Sequence, residues 1–423
     1  GHTISGLVMT TAWSGDVGLF GSAQGATVKN VKVKDSYLSG GNVGGIVGSG
    51  SKATIENVSY QGQIRASMYA AGIIAYTSSA TVRNASFTGT LVTKDSTNAY
   101  AGGIMGLGSG TVEDCAVDAT LEAGCNVGGI VGGYNNLTVR RCSFRGSAVS
   151  SVKTAAGIVG ESNDNVTIED CYSTGNLTAA GRAAGITQGD SESNTVRNCY
   201  ALGTLQAPET FGIASKAESL DGPSYCLDVN ASTATGNTIT KTATEFRGGT
   251  VAWLLGKAFG QKLGVDASPV LSDGTNRVFM AGGDLRNASA ETCDLLINAI
   301  GTVALDGTEN CFGNVTLAQD CYDMLAKAER AKVTKLEILT QKQADYTTAV
   351  NALIAQIDAL GEITLASKDA LEAARGSYDR YLAWGGDAAR VTNYETLTAA
   401  EAAYAKCVQA DNESKVEESI QIK

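Results

Sequence analysis

The sequence contains very little histidine, proline or aromatic residue. Its 423 residues include one histidine, three prolines and 6% aromatic residues. Because the one histidine is His2, serine–histidine and cysteine–histidine catalytic systems are not expected, and no HExxH zinc motif is present. The scarcity of proline excludes Pro-rich disordered linkers.

Long apolar runs and an excess of positive charge are also missing. No stretch of about 18 apolar residues is present, so membrane insertion is not expected. The net charge is −11, with 32 basic against 43 acidic residues. This balance argues against nucleic acid or an anionic membrane as the main partner.

Glycine is abundant, and much of it is periodic. One glycine recurs every 26 to 31 residues, at Gly18, Gly45, Gly72, Gly103, Gly129, Gly157, Gly185 and Gly212. A second column of residues, again with one member in each repeat, recurs with the same period. Its members are Val31, Val58, Ala85, Cys115, Cys142, Cys171, Cys199 and Cys226. The segments between are short and rich in Val, Ile, Thr and Tyr, which predicts strands. A fixed period of this size is typical of a solenoid. The predicted fold is therefore mainly β, a parallel β-helix of about eight turns.

A corner is predicted just before the second column. Val139 lies three positions before Cys142, and an odd separation cannot place both inside one straight strand. The residues between are mostly Asn or Asp, which tolerate the left-handed backbone. They are Asn30, Asn57, Asn84, Asp114, Asp170 and Asn198, with Arg141 as the exception.

A column of alternating charge supports the same alignment of the turns. It consists of Lys29, Glu56, Arg83, Glu113, Arg140, Glu169 and Arg197. Stacked turns lie about 4.8 Å apart, so each charge would have opposite neighbours above and below. We interpret this column as a solvated ladder that specifies strand register, not as a catalytic site.

The cysteines of the second column are predicted to be inward-facing free thiols. Free cysteine behaves as a small hydrophobe, and Cβ atoms about 4.8 Å apart exceed the usual disulfide separation. A metal site is disfavoured because the thiols line up along an axis. The pairing of Cys125, Cys293, Cys311, Cys321 and Cys407 stays open, with a disulfide among the middle three as one alternative.

The repeats resemble a known family. Gly-Gly-Ile-Val-Gly at 128–132 and Cys-Tyr-Ser-Thr-Gly at 171–175 are similar to the GLUG repeats of bacterial, mostly Gram-positive, surface proteins. The resemblance implies an extracellular, cell-wall-associated protein, and the family has no general biochemical activity. We expect the signal peptide and anchor to lie outside the given chain, which enters in the middle of a repeat.

After the repeats the pattern changes twice. Thr242 and Glu245 have capping-box spacing, which predicts a helix. With a strand at 269–271, this helix is expected to cover the open end of the solenoid, as in similar repeat arrays of gut Firmicutes. Helical periodicity then begins near residue 284, with Tyr322 and Tyr378 at equivalent places in two copies.

The predicted domains follow from these changes. They are a solenoid at 1–230, its cap at 231–283, and helical modules at 284–349 and 350–423. Each module is expected to hold three helices and resembles the FIVAR-like modules of Gram-positive surface proteins.

Two groups of residues are candidate binding sites. Tyr172 and Tyr200 directly follow column cysteines and should point outward on adjacent turns as a platform for sugar rings; the alternative is an ordinary cross-strand pair. Glu161, Asp164, Asp190 and Glu192 lie in neighbouring turn loops and could bind Ca²⁺; the alternative is ordinary acidic surface. No other cofactor and no catalytic residue is expected.

The functional hypothesis is a non-enzymatic, adhesin-like surface solenoid with helical spacers, acting in adhesion, presentation or interaction. Its partner would be a host or bacterial surface glycan or protein. One alternative is a carbohydrate-binding or carbohydrate-active β-helix, which a groove with paired acids would indicate. The other is an accessory region of a larger surface protease.

Overall fold

The structure is a computed structural model that describes residues 1–11, 15–94, 97–189, 191–216, 220–228, 238–272 and 274–421. The chain forms two compact units, Gly1–Arg277 and Val278–Lys423. The first unit is the solenoid with its cap, and the second is mainly helical. Among the described residues, no helix combines the length and apolar character needed to cross a membrane.

One wall of the solenoid is an eight-stranded parallel sheet with one strand per turn. Each strand ends at the residue directly before the recurring glycine. The strands are Asp16–Val17, Asn42–Gly44, Tyr69–Ala71, Tyr100–Gly102, Asn126–Gly128, Thr154–Ala156, Arg182–Ala184 and Glu209–Phe211. The predicted parallel β-helix of about eight turns is confirmed.

The remaining walls belong to one 22-stranded parallel sheet that bends at the corner. Strands that precede the corner or run through it are Phe20–Gln24, Thr27–Lys29, Val47–Ser51, Ala53–Ala66, Ile74–Thr93, Met105–Glu113, Val131–Tyr134, Leu137–Arg140, Val159–Ser162, Val166–Glu169 and Thr195–Arg197. Strands beyond it are His2–Ser5, Val8–Thr10, Val31–Gly40, Ala116–Ala123, Ser143–Ser150, Tyr172–Ser173, Asn176–Ala179, Tyr200–Ala201, Leu205–Gln206, Ser224–Leu227 and Thr238–Lys241.

The corner residues adopt the left-handed backbone conformation that was predicted from their residue types. Their φ angles lie between 48° for Asn84 and 60° for Asn30, and Arg141 shares the conformation at 51°. Side-chain amides join the corners, since Asn84 Nδ2 donates to Asn57 Oδ1 at 2.7 Å. Arg141, the exception in residue type, is also joined to the neighbouring corner, because its Nε donates to Asp114 Oδ1 at 2.6 Å.

The charge column lies in the predicted register. Strand pairing aligns Glu113 with Arg140, Arg140 with Glu169, and Glu169 with Arg197. Direct ion pairs join Glu169 to Arg140 at 3.0 Å and to Arg197 at 2.8 Å. A third joins Arg83 to Glu113 at 2.9 Å.

The cysteine column lies in the core. Cys115, Cys142, Cys171, Cys199 and Cys226 are all buried free thiols. Cys142 Sγ donates to the carbonyl of Arg140 at 3.1 Å, across the corner, and Cys171 and Cys199 do the same with Glu169 and Arg197 at 3.2 Å. A small side chain with a weak donor therefore suits this position. Cys125, Cys293, Cys311 and Cys321 are also buried free thiols, and Cys407 is a half-buried one.

The cap contains helix α1 (Ala243–Arg247), helix α2 (Thr250–Leu255), the 3-10 turn Gly256–Ala258 and the antiparallel pair Phe259–Gly260 with Val270–Leu271. The capping box of Thr242 and Glu245 is present. The cap packs on the flank of the last turns, and strand Thr238–Lys241 adds a rung to the stack by pairing with Ser224–Leu227. The prediction that the cap helix and strand cover the open end of the solenoid is therefore wrong.

The second unit begins with a hairpin, Val278–Ala281 with Asp284–Asn287. Its helices are α3 (Ala290–Asn298), α4 (Cys311–Met324), α5 (Lys327–Arg330), α6 (Leu336–Asp358), α7 (Lys368–Ala383) and α8 (Tyr394–Gln421), with 3-10 turns at Leu365–Ser367 and Ala388–Arg390.

Two expected module boundaries fall inside structural elements. Helix α6 runs across the predicted boundary at 349/350. It packs against α4, which precedes that boundary in the chain, and against α7 and α8, which follow it. The boundary at 283/284 falls in the hairpin, whose Phe279 and Ala281 belong to the core of the helical unit. The boundary at 230/231 lies outside the described residues. The two segments predicted as separate helical modules thus share one helix and one core.

Candidate binding groove

Tyr172 and Tyr200 stack as a pair but are not exposed. Their ring centroids lie 5.0 Å apart with the planes 5° from parallel, and their exposed fractions are 3% and 0%. Phe246 and Phe259 of the cap pack against Tyr200 at 5.6 and 5.7 Å between centroids. Burial raises the pKa of Tyr200 well above its usual value. The expected open platform is wrong, because the cap folds back over this column.

The candidate calcium ligands have other partners. Glu161 Oε2 accepts hydrogen bonds from Tyr100 Oη at 2.7 Å and from Asn126 Nδ2 at 2.8 Å. Asp164 accepts from Ser191 Oγ at 2.6 Å, and Glu192 lies 3.7 Å from Lys216 Nζ. Asp190 lies outside the described residues. In the described part of the chain, no group of three or more His, Cys, Asp or Glu residues is arranged to hold a metal ion.

A different set of aromatic residues reaches solvent. We call Tyr69, Tyr76, Tyr100 and Tyr134 the tyrosine cluster. Tyr69 stacks on Tyr76 at 5.5 Å between centroids and meets Tyr100 edge-on at 6.1 Å. Burial raises the pKa of Tyr69, and the phenols of Tyr76 and Tyr134 add to the effect because they lie nearby. Tyr76 is 40% exposed and Tyr134 44%.

The cluster lies where two columns of side chains face each other. Tyr69 and Tyr100 are aligned at the start of adjacent strands of the eight-stranded sheet, followed by Asn126, Thr154 and Arg182 on the next turns. Across the glycine turn, Tyr76 is aligned with Leu107, Gly133 and Glu161. Hydrogen bonds from Tyr100 and Asn126 to Glu161 join the two columns. We give the name groove to the surface along these two columns together with the cleft beside it.

The groove opens into a cleft of about 850 Å³ beside the cluster. Its lining includes Tyr134, Lys153, Glu161, Asp164, Arg182 and Gln188. Arg182 is paired with Glu209 at 3.1 Å. Burial raises the pKa of the Cys125 thiol, and the nearby Lys153 ammonium opposes that shift. The cleft therefore combines carboxylates, a lysine and an aromatic ring.

The backbone at Tyr134 is unusual for a tyrosine. Its φ is 137°, a region that side chains with a Cβ seldom adopt. The preceding Gly133 leaves little space: a Cβ there would lie 3.0 Å from the Glu161 carbonyl oxygen and 3.2 Å from the Tyr100 ring. This local conformation places an exposed ring at the edge of the cleft.

Sequence reasoning missed the cluster because its four members do not share one column. One signal was available. Tyr69 and Tyr100 occupy the same place in successive repeats, each followed by small residues before the recurring glycine. The contribution of Tyr76 and Tyr134 depends on the glycine turn, which brings separate strands face to face.

Comparison with known families agrees with the observed fold. The sequence profile of a family described as "Right handed beta helix region" matches residues 17–201, which is less than half of the chain. Proteins with this fold are often surface or carbohydrate-active proteins, and they include enzymes and non-enzymes. No curated protein and no solved structure was found to match.

Proposed function

We propose that the chain is a non-enzymatic part of a GLUG-type surface protein of a Gram-positive bacterium. In this proposal the protein is extracellular and cell-wall associated, the solenoid binds an extended surface glycan, and the helical unit is a FIVAR-like spacer. The observation that carries it is the tyrosine cluster, with Tyr76 and Tyr134 exposed beside a polar cleft. Exposed aromatic faces can pack on sugar rings while hydroxyl groups pair with neighbouring polar side chains.

The dimensions of the groove suit a chain better than a single sugar. The groove extends from the turn of Tyr69 to the turn of Arg182, which are joined rung by rung through three intermediate strands. At about 4.8 Å per rung, four steps span roughly 19 Å. An oligosaccharide of several units could therefore contact both the cluster and the cleft.

A glycan array followed by titration tests this function. The double variant Tyr76→Ala/Tyr134→Ala should bind the preferred glycan at least about tenfold more weakly, because it loses two aromatic contacts. Tyr37→Ala is the matched control, since Tyr37 is a half-buried solenoid tyrosine outside the groove. Equal binding by the double variant and the wild type would refute the aromatic groove.

Glycan cleavage is a second candidate. Glu161 and Asp164 line the same cleft, and most glycosidases use a pair of carboxylates. Release of reducing ends by the wild type, lost in Glu161→Gln, would establish this activity in place of binding alone. Absence of turnover on the glycan that binds would eliminate it.

A further inference from the structure

We propose that the cleft is a subsite for an acetamido group, so that the groove prefers glycans containing N-acetylhexosamine. This inference rests on the proposed glycan binding and adds the class of sugar. It is carried by the chemistry of the cleft floor and walls.

The floor of the cleft contains an amide without a complete set of partners. Gln188 is 3% exposed and lines the cleft. Its backbone oxygen already accepts a hydrogen bond from Ser162 N at 2.7 Å. Its side-chain oxygen Oε1 is buried and has no hydrogen-bond partner within the described part of the chain. Because buried acceptors are normally paired, a rotation of the Gln188 side chain that turned this oxygen toward the cleft would let it accept a hydrogen bond from a ligand N–H.

The walls supply what the rest of an acetamido group needs. Such a group has one N–H donor, one carbonyl acceptor and one methyl. Lys153 can donate to the carbonyl, while Val152 and the Tyr134 ring offer apolar surface to the methyl, with 37% and 44% of these residues exposed. All of these residues line one cleft, whose volume of about 850 Å³ is within the usual range for small-molecule sites.

The charges of the cleft disfavour an acidic sugar. Arg182 is neutralised by Glu209. Glu161 and Asp164 then outnumber Lys153 among the described lining residues. A sugar carboxylate would face these two acids at close range, whereas a neutral acetamido group would not.

Three tetrasaccharides with the same β-1,4 linkage test the inference by calorimetric titration of the full chain. They are the tetramers of N-acetylglucosamine, glucose and glucosamine, which differ only at the second carbon. We expect the acetylated tetramer to bind at least about tenfold more tightly than the glucose tetramer, because it adds a hydrogen bond and a methyl contact. Gln188→Leu should lower the ratio of the two affinities about fivefold, mainly by weakening the binding of the acetylated tetramer.

Gln206→Leu is the control, since Gln206 is an exposed glutamine of the solenoid outside the cleft. The melting temperature of Gln188→Leu should not fall, because its Oε1 has no partner to lose. If Gln188→Leu does not fold, Gln188→Met is used in its place.

Several outcomes would overturn the inference without removing glycan binding. One is equal affinity of the wild type for the acetylated and glucose tetramers. Another is an undiminished preference in Gln188→Leu. Tighter binding of the free-amine tetramer than of the acetylated one would assign the cleft to an ammonium group near Glu161 and Asp164 instead. Failure to bind any tetramer or any glycan on the array would remove the proposed function itself.

Discussion

At the scale of single residues, the recurring glycine is required by close packing between turns. In six of the eight turns, a Cβ on this glycine would lie 2.1–2.4 Å from the carbonyl oxygen of the equivalent glycine on the next turn. The same Cβ would also meet the inward side chain of its own turn, as Gly129 meets the Phe144 ring at 2.3 Å. These glycines thus permit the walls to approach, and a larger residue must push the turns apart.

Gly129→Ala is therefore expected to destabilise the solenoid strongly. The new methyl would overlap both the Gly157 carbonyl oxygen and the Phe144 ring, and overpacking of this kind costs about 3 kcal/mol or more. Gly376→Ala is the control for the same chemical change, because its Cβ would have open space on helix α7. It should stabilise the helical unit by up to about 1 kcal/mol. Denaturant unfolding of each variant measures both effects; an unchanged midpoint for Gly129→Ala would contradict the packing.

Arg140→Glu tests the charge column. The new carboxylate would lie between Glu113 and Glu169, which are its strand neighbours, and would replace an ion pair of 3.0 Å. We expect a loss of about 1 kcal/mol at low salt that shrinks at high salt, because these charges are partly exposed. Arg140→Gln, which only removes the charge, should lose less. A salt-independent effect would mean that repulsion is not the cause.

At the scale of elements, the cap covers one column of tyrosines on the flank of the solenoid. Phe246, Val251, Leu255 and Phe259 form one buried cluster with Tyr172, Tyr200 and Tyr225. The tyrosines point away from the solenoid core, so this flank would expose several aromatic rings without the cap. Burial of this apolar strip explains why the cap packs on the flank.

Phe246→Ala should consequently lower the stability of the solenoid unit by about 3–5 kcal/mol, because Phe246 is 1% exposed. Leu254→Ala, on the neighbouring cap helix and 37% exposed, should change it by only about 0.5 kcal/mol. Thermal unfolding followed by tyrosine fluorescence compares the two variants. Similar losses in both would indicate that the cap is not anchored through the tyrosine column.

At the scale of the whole molecule, the chain divides between Arg277 and Val278. The hairpin after this point contributes Phe279 to the core of the helical unit. Within that unit, helix α6 supplies Leu339 and Tyr346 in its first half and Leu353 and Ile357 in its second. The two segments predicted as modules share this helix and cannot be separated without cutting through it.

Fragments 1–277 and 278–423 should each fold alone, because each has its own hydrophobic core. A fragment 278–349 should be largely unfolded, since it ends inside α6. Circular dichroism and thermal unfolding of the three fragments provide the measurement. Cooperative unfolding of 278–349 would show instead that the first helical copy is independent, and an insoluble 1–277 would show that the solenoid needs the rest of the chain.

Much of the solenoid could be predicted from the sequence because its interactions repeat. Each turn meets the same neighbours at the same spacing, so the glycine column, the Asn and Asp corner and the charge column all appear in the sequence as a period. The helical character of the chain after residue 284 was predicted from a period as well. A boundary between two modules could not be predicted correctly, because an amphipathic pattern continues unchanged through helix α6.

The candidate site depended on contacts that do not repeat. Alternation along a strand correctly places Tyr172 and Tyr200 outside the solenoid core, but only the folded cap determines that they are buried. Tyr69, Tyr76, Tyr100 and Tyr134 come together because a glycine turn folds two columns against each other and because Tyr134 has an unusual backbone conformation. Periodicity specifies the face on which a side chain lies; exposure depends on what else in the chain packs against that face, and only the tertiary structure decides it.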